Sequence, residues 1–129
     1  MSKYTKGSHS IFNLGYHLIF SSKYRKLYLQ YYERDLKSIF NDIANEINIV
    51  IKDIEFMPDH VHIFFKCINK IYSIPKIVQL LKGKSSYLIR NKYPILHKYK
   101  SFWTPSYFIE SIGNISEKSI RRYIKNQKK

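Results

Sequence analysis

The sequence contains few acidic residues, a single cysteine and no long hydrophobic segment. Nine Asp and Glu residues oppose 23 Lys and Arg residues, which leaves a formal net charge of +14. One cysteine, Cys67, excludes an internal disulfide. No apolar run approaches the ~20 residues that a membrane-spanning helix needs, and the first 25 residues lack the order of a secretion signal. We therefore expect a cytoplasmic protein with no membrane partner.

Glycine and proline are also scarce, with four of each among 129 residues. They are scattered, and we find no internal repeat, low-complexity tract or Gly/Ser-rich linker. With a hydrophobic content of 44%, a chain of this length can bury a core. We therefore expect one domain over residues 1–129, continuous from about residue 11 to the end.

Basic and aromatic residues, by contrast, are abundant in the sequence. Residues 71–129 hold 13 of the basic but only two of the acidic side chains. A net charge of +14 exceeds what solubility requires and indicates a polyanionic partner. Aromatic residues make up 16% of the chain, and aromatic rings beside cations suit unpaired bases. Nucleic acid is therefore the first partner to consider.

The hydrophobic pattern predicts an α+β fold. Alternating segments predict strands over residues 11–22, 49–57, 60–68 and 106–112, and apolar spacings of three and four predict helices over 30–48, 73–93 and 116–127. The apolar stripe of the second helix consists of Ile74, Ile77, Val78, Leu81 and Leu88. This order is the split βαβ arrangement: a ferredoxin-like or RRM-like βαββαβ sheet of four antiparallel strands with two helices on one face. The other face is expected to be free, and the C-terminal helix is an addition.

Two histidines in the third predicted strand form the first candidate site. His60 and His62 lie two residues apart, so both imidazoles project from the same face. Such a pair can bind one metal ion, or it can be a pair of partly buried polar residues. Asp59, just before the strand, either orients one of the histidines or completes a Pro-Asp turn.

The last predicted helix carries a second candidate group. Tyr123 and Gln127 lie one turn apart on its apolar face, opposite a basic face. A Gln in the middle of that stripe would leave an amide without a partner at a cost of about 1 to 3 kcal/mol. Its oxygen thus more naturally faces a metal or a polar group. Tyr123 either points at the same site or packs in the core.

Several motifs, in this order and spacing, resemble one known family. They are KYRK at 23–26, MPDHVHIFF at 57–65, LKGKSS at 81–86, FWTPSYFIESIG at 102–113 and YIKNQ at 123–127. Together they resemble the single-tyrosine HUH transposases (HUH denotes His, hydrophobic residue, His), the TnpA family of insertion sequences 200 and 605. The resemblance covers nearly the whole chain, as one HUH transposase domain.

The resemblance implies a metal-dependent DNA transposase. His60, His62 and Gln127 would hold Mg²⁺ or Mn²⁺, and Tyr123 would attack single-stranded DNA to form a 5′-phosphotyrosine and a free 3′-hydroxyl. The family's fold agrees with the one predicted above. In that family the enzyme is a homodimer in which the final helix of each subunit delivers its tyrosine to the histidines of the other.

Other basic and aromatic residues are candidates for contacts with DNA. For phosphate contacts these are Lys23, Arg25, Lys26, Lys82 and Lys84. Trp103 and Tyr107 either stack on bases or close the core. Because 18 Lys residues outnumber five Arg residues, recognition of a folded DNA hairpin or of strand pairing is favoured over forked base readout.

Two alternatives share these features. One is a related nuclease that a host uses at chromosomal hairpin repeats, which would carry every motif. The other is a non-catalytic module that binds single-stranded nucleic acid on the same fold. The second alternative requires exposed aromatic rings on the central strands, where this sequence places His60 and His62.

Overall fold

The structure is a computed structural model that describes residues 14–68, 71–114 and 125. It contains four strands and two α-helices in these ranges: β1 (Leu14–Ser21), α1 (Glu33–Ile47), β2 (Ile49–Phe56), β3 (His60–Cys67), α2 (Ile74–Lys92) and β4 (Phe108–Asn114). Short 3₁₀ turns occupy Lys23–Arg25, Leu29–Tyr32 and Pro94–Lys98. The βαββαβ prediction is confirmed, whereas the predicted helix over residues 116–127 lies, apart from residue 125, outside the described residues.

The four strands form one antiparallel sheet in the order β2-β3-β1-β4. β1 and β3 are therefore the central strands. Register shifts interrupt the pairing of β1 with β4 near Leu14 and that of β2 with β3 near Ile51. Each shift inserts one extra residue into an outer strand, β4 or β2. In β2 the alternation therefore changes at the shift, and Ile49 before it and Ile54 and Phe56 after it all join the core.

The hydrophobic core lies between the sheet and the two helices. Alternate residues of β3 (Val61, Ile63, Phe65 and Cys67) join the core cluster. α1 adds a buried stripe that includes Leu36, Phe40 and Ile43, as its spacing predicts. Ser73 begins α2 by accepting a hydrogen bond from the backbone N–H of Lys76.

The apolar stripe of α2 differs from the prediction in its last turns. Leu88 is 41% exposed, whereas Ser85 and Ser86 are buried. The hydroxyl of Ser85 accepts a hydrogen bond from the indole N–H of Trp103, and that of Ser86 accepts one from the backbone N–H of Phe102. Because these bonds satisfy both hydroxyls, polar residues can occupy the core face.

The face of the sheet turned away from the helices, here called the second face, is not uniformly open. His17 of β1 and Phe64 of β3 both point to it, and both are almost fully buried. Their rings stack with centroids 4.3 Å apart. The expectation of a free face is therefore wrong at these two positions. In the described part of the chain, no helix has the length and apolar content that crossing a membrane requires.

Candidate active site

His60 and His62 lie side by side on the second face of β3. The pleat sends Val61 and Ile63 into the core and leaves both imidazoles on the opposite side. Their ring centroids are 5.0 Å apart. Both residues are partly exposed, so the pair can meet a ligand from solvent.

Asp59 fixes the ring of His60. Its Oδ1 atom lies 2.8 Å from Nδ1 of His60, and its Oδ2 atom accepts a hydrogen bond of 2.7 Å from Nε of Arg25. The bonds from His60 and then from Arg25 hold the pKa of the Asp59 carboxyl below its usual range. A carboxylate at Nδ1 attracts the ring proton to that nitrogen and leaves a lone pair on Nε2, the nitrogen that a metal ion would then use. Asp59 thus contacts His60 directly, and it also lies in the turn between β2 and β3 that the bond from the Met57 backbone N–H to the His60 carbonyl closes, so the two predicted roles are compatible.

His62 has a different partner, which the sequence analysis did not identify. Nδ1 of His62 lies 2.8 Å from Nε2 of His17, and Nδ1 of His17 lies 3.7 Å from Oε2 of Glu110. Burial lowers the pKa of His17 to about 4. The only sequence signal was a histidine at an otherwise apolar position of β1; the pairing of β1 with β3 and β4 then brings the three residues together.

This donor set fits a divalent ion. Each imidazole of β3 has its Nδ1 atom in a hydrogen bond, which directs coordination to Nε2. The described residues contain no cluster of three or more His, Cys, Asp or Glu side chains that could hold a metal, so a complete site needs a ligand from elsewhere. Gln127 and Tyr123, which the sequence analysis assigned to this site, lie outside the described residues.

Comparison with known proteins identifies the family. Residues 10–127 match the family described as "Transposase IS200 like". The chain belongs to this transposase family. It is 35% identical to the ISDra2 transposase TnpA of Deinococcus radiodurans over 95% of this chain and 89% of that protein. It is 29% identical to the transposase of insertion sequence element IS200 from Salmonella typhimurium, over 93% and 80% of the two chains.

Solved structures agree with the transposase fold. A candidate transposase from Deinococcus radiodurans R1 superposes with a TM-score of 0.71 at 34% identity, covering 96% of this chain and 98% of that one. The structure of a REP-associated tyrosine transposase bound to a REP hairpin has a TM-score of 0.64 at 14% identity, covering 96% and 68%. The second likeness shows the fold alone. Membership of a transposase family implies cleavage and transfer of DNA strands.

The KYRK segment of this transposase forms a tight turn beside Asp59. Tyr24 and Arg25 both have left-handed backbone angles, with φ of 59° and 55°. Such angles cost a non-glycine residue about 1 to 2 kcal/mol. Ser22 holds the turn: its hydroxyl donates to the carbonyl of Lys26 at 2.7 Å, and its backbone N–H donates to the carbonyl of Asp59 at 2.9 Å. In the structure, the turn therefore positions Arg25 to bind Asp59 rather than a phosphate.

Two predicted DNA contacts have other roles in the structure. The ammonium of Lys82 donates to the carbonyls of Thr104, Pro105 and Ser106 at 2.6 to 3.1 Å, and burial lowers its pKa. All three of its protons are thus used within the protein, so it does not offer them to phosphate here. Trp103 is 1% exposed and belongs to the core, which is the second of its two predicted roles.

The other predicted contacts remain accessible. Lys23 and Tyr107 line one open groove of about 450 Å³, and Tyr107 is 44% exposed. Lys26 is exposed at the end of the KYRK turn. Lys84 lies on the helical side of the molecule, where its ammonium is 3.5 Å from the carboxylate of Glu46. A role for these residues in DNA binding stays a prediction.

Proposed function

We propose that this transposase cuts and rejoins single-stranded DNA at hairpin-flanked ends of an insertion element, through a covalent bond to Tyr123. The observation that carries this proposal is the pair of imidazoles of His60 and His62, which lie together with each Nδ1 atom already in a hydrogen bond. Such a pair is prepared to bind a cation rather than only to fill space.

A divalent ion, Mg²⁺ or Mn²⁺, would be held by His60, His62 and Gln127. When bound, it polarises the scissile phosphate and stabilises the departing 3′-oxygen, which is worth several kcal/mol. Gln127 is a neutral ligand, so it adds no negative charge where a phosphate must enter. Three protein ligands leave positions for substrate and water on an octahedral ion.

In the proposed cleavage, the phenol oxygen of Tyr123 bonds to phosphorus as the bond from phosphorus to the 3′-oxygen breaks. The phenol loses its proton and the departing oxygen gains one, which leaves a 5′-phosphotyrosine and a 3′-hydroxyl. Because the phosphate ester is retained, a 3′-hydroxyl can attack it and rejoin the strand without a nucleotide cofactor.

The DNA would run along the side of the molecule that carries the KYRK turn. Tyr24 and Tyr31 are 71% and 79% exposed, and Lys23 and Lys26 lie near Tyr24 in the chain. Exposed rings beside cations suit stacked single-stranded bases. The REP hairpin in the distant structural neighbour and the surplus of Lys over Arg are consistent with a hairpin as the folded part of the substrate.

The non-catalytic alternative is disfavoured by the two central strands. A stacking platform requires exposed aromatic rings there. On the second face, β1 and β3 carry His17, Ile19, His60, His62 and Phe64. Among these five residues Phe64 is the one Phe, Tyr or Trp, and it is only 1% exposed.

Formation of a protein–DNA adduct tests the proposal. We expect the purified protein, labelled single-stranded hairpin DNA and Mn²⁺ to yield an adduct that survives denaturation. Tyr123→Phe abolishes it because no phenol oxygen remains, and chelation abolishes it in the wild type until Mn²⁺ is added back. The adduct is measured by denaturing electrophoresis.

Tyr87→Phe is the matched control, since Tyr87 is an exposed tyrosine of α2; this variant should form the adduct normally. An undiminished adduct with Tyr123→Phe would contradict the assignment of the nucleophile. An undiminished adduct in chelator would contradict the role of the metal.

A further inference from the structure

The hydrogen bond between His17 and His62 determines which nitrogen of His62 can bind a metal. The two atoms that meet, Nε2 of His17 and Nδ1 of His62, are 2.8 Å apart and share one proton. If His62 donates, its Nε2 atom carries a lone pair for the metal. If His17 donates, the proton of a neutral His62 lies on Nε2 and blocks coordination. The tautomer of His17 therefore decides the state of His62.

Glu110 selects the tautomer of His17. Its carboxylate lies 3.7 Å from Nδ1 of His17, on the strand that pairs directly with β1 at this position. A proton on Nδ1 is attracted by that carboxylate, whereas a lone pair there would be repelled. A neutral imidazole carries only one proton, so Nε2 of His17 is left as an acceptor. His62 must then donate from Nδ1.

Packing holds His17 in this arrangement. Its ring is fully buried and stacks at 4.3 Å on Phe64, nearly parallel at 9°. A fully buried ring has no water around it to stabilise a second proton, which favours the neutral ring that acceptance at Nε2 requires. A buried, stacked ring also loses little further freedom when it orients its neighbour.

We propose that His17, supported by Glu110, is a positioning residue that holds His62 in the tautomer with a lone pair on Nε2 and aims it at the divalent ion. The inference rests on the proposed function for the identity of the ion, but the state of His62 can be measured without one. His17 acts only through His62 and does not touch the substrate.

The first experiment measures the tautomer of His62 in the metal-free protein. Long-range ¹H–¹⁵N NMR spectra of imidazole-labelled protein, assigned with a His62→Gln variant, distinguish a proton on Nδ1 from one on Nε2. We expect the wild type to carry it on Nδ1. A proton on Nε2 would overturn the inference whatever the variants do.

The second experiment compares two replacements of His17. His17→Gln keeps an oxygen acceptor at a similar reach, whereas His17→Phe keeps a flat ring but provides no acceptor. Second-sphere partners of this kind are typically worth 10- to 100-fold in metal affinity. We expect Mn²⁺ affinity, measured by EPR titration, to fall by about that factor in His17→Phe and to recover to within about 3-fold of wild type in His17→Gln.

His97→Phe provides the control, since His97 is an exposed histidine of the 3₁₀ turn after α2; its Mn²⁺ affinity should equal that of the wild type. Equal losses in the Gln and Phe variants of His17 would show a merely structural role, and unchanged affinity in His17→Phe would show no role. If the wild type binds no Mn²⁺ and forms no adduct, the proposed function fails, while the NMR result still decides how His17 and His62 are paired.

Discussion

The two histidines of β3 are oriented by groups of different charge. His60 faces the carboxylate of Asp59 directly. His62 faces the neutral imidazole of His17, with Glu110 one residue further away. Both arrangements direct Nε2 outward, but of these two hydrogen bonds only the one to His60 comes from a full negative charge. A direct bond to a carboxylate raises the basicity of the His60 imidazole.

Ser85 and Trp103 form the buried polar contact on which the loop before β4 depends. The Ser85 hydroxyl accepts from the indole N–H at 2.9 Å and donates to the carbonyl of Lys82 at 3.1 Å. Ser85→Ala leaves the indole N–H buried without a partner, so we expect the free energy of unfolding to fall by about 1 to 3 kcal/mol. Urea denaturation measures this loss.

Ser106→Ala removes a hydroxyl from an exposed position of the same loop and should leave the urea midpoint within about 0.5 kcal/mol of wild type. Equal midpoints for Ser85→Ala and Ser106→Ala would contradict the structural role assigned to Trp103.

The elements on the helical side are joined by a charged contact between the start of α1 and the end of α2. Asp35 accepts hydrogen bonds from the hydroxyl of Tyr93 and from the ammonium of Lys92. The bond from Tyr93 and then that from Lys92 hold the pKa of the Asp35 carboxyl below its usual range. The contact therefore stabilises the fold more when this carboxyl is ionised than when it is protonated.

The pH dependence of this contact is testable with Asp35→Asn. A native pKa below the unfolded value means that the contribution is present above about pH 4 and is lost as pH falls through the native pKa. We expect Asp35→Asn to lower the free energy of unfolding at pH 7 by about 1 to 2 kcal/mol. The difference from wild type should shrink towards pH 2.5. Urea midpoints measured from pH 7 to 2.5 follow this change.

Asp42→Asn, at an exposed position of the same helix, is the control and should cost little at any pH. A difference for Asp35→Asn that persists unchanged at pH 2.5 would show that shape, rather than charge, links the two helices.

Local patterns predicted the elements, while contacts between distant residues escaped prediction. The two helices and four strands follow from periodicity within single segments, so their bounds agree with the sequence to within a few residues. The hydrogen bond between His17 and His62 joins residues 45 positions apart, and the ammonium of Lys82 donates to a carbonyl more than 20 positions away. Neither leaves a local signal, because a lysine or histidine looks the same whether its partner is phosphate, metal or another strand.

At the scale of the whole molecule, the charge around the histidines opposes the net charge of the protein. Asp53 and Glu55 of β2 and Glu110 of β4 lie on the second face, although the chain as a whole carries +14. Acidic neighbours favour a bound cation but disfavour a DNA phosphate. Residues 115–129 contain six basic and one acidic residue. The segment that carries Tyr123 therefore also carries charge suited to offset this effect.

The register of the sheet limits how the proposed nucleophile, Tyr123, could reach the histidines. β1 pairs with Asn114 at Leu14 and with His62 at Ile19. Along the strand direction, the end of β4 is thus five residues, or about 17 Å, from His62. β4 and β3 also lie on opposite sides of β1, so two strand spacings separate them across the sheet. A helix that begins at residue 116, as predicted from sequence, advances only about 10 Å by residue 123. Delivery within one chain therefore needs a helix directed straight back across its own sheet, whereas a second copy is free of this limit.

Mixing two inactive variants tests whether the active site is shared. His60→Ala lacks a proposed metal ligand and Tyr123→Phe lacks the proposed nucleophile, so each alone should form no DNA adduct. If each tyrosine serves the other subunit's histidines, a mixed dimer contains one site with both defects and one intact site. We expect random mixing at equal amounts to restore adduct formation to about a quarter of the wild-type level, because half of the dimers are mixed and each has one working site of two. If sites are built within one chain, every site in every dimer carries a defect, and mixed dimers shown to form by tagged co-purification would remain inactive.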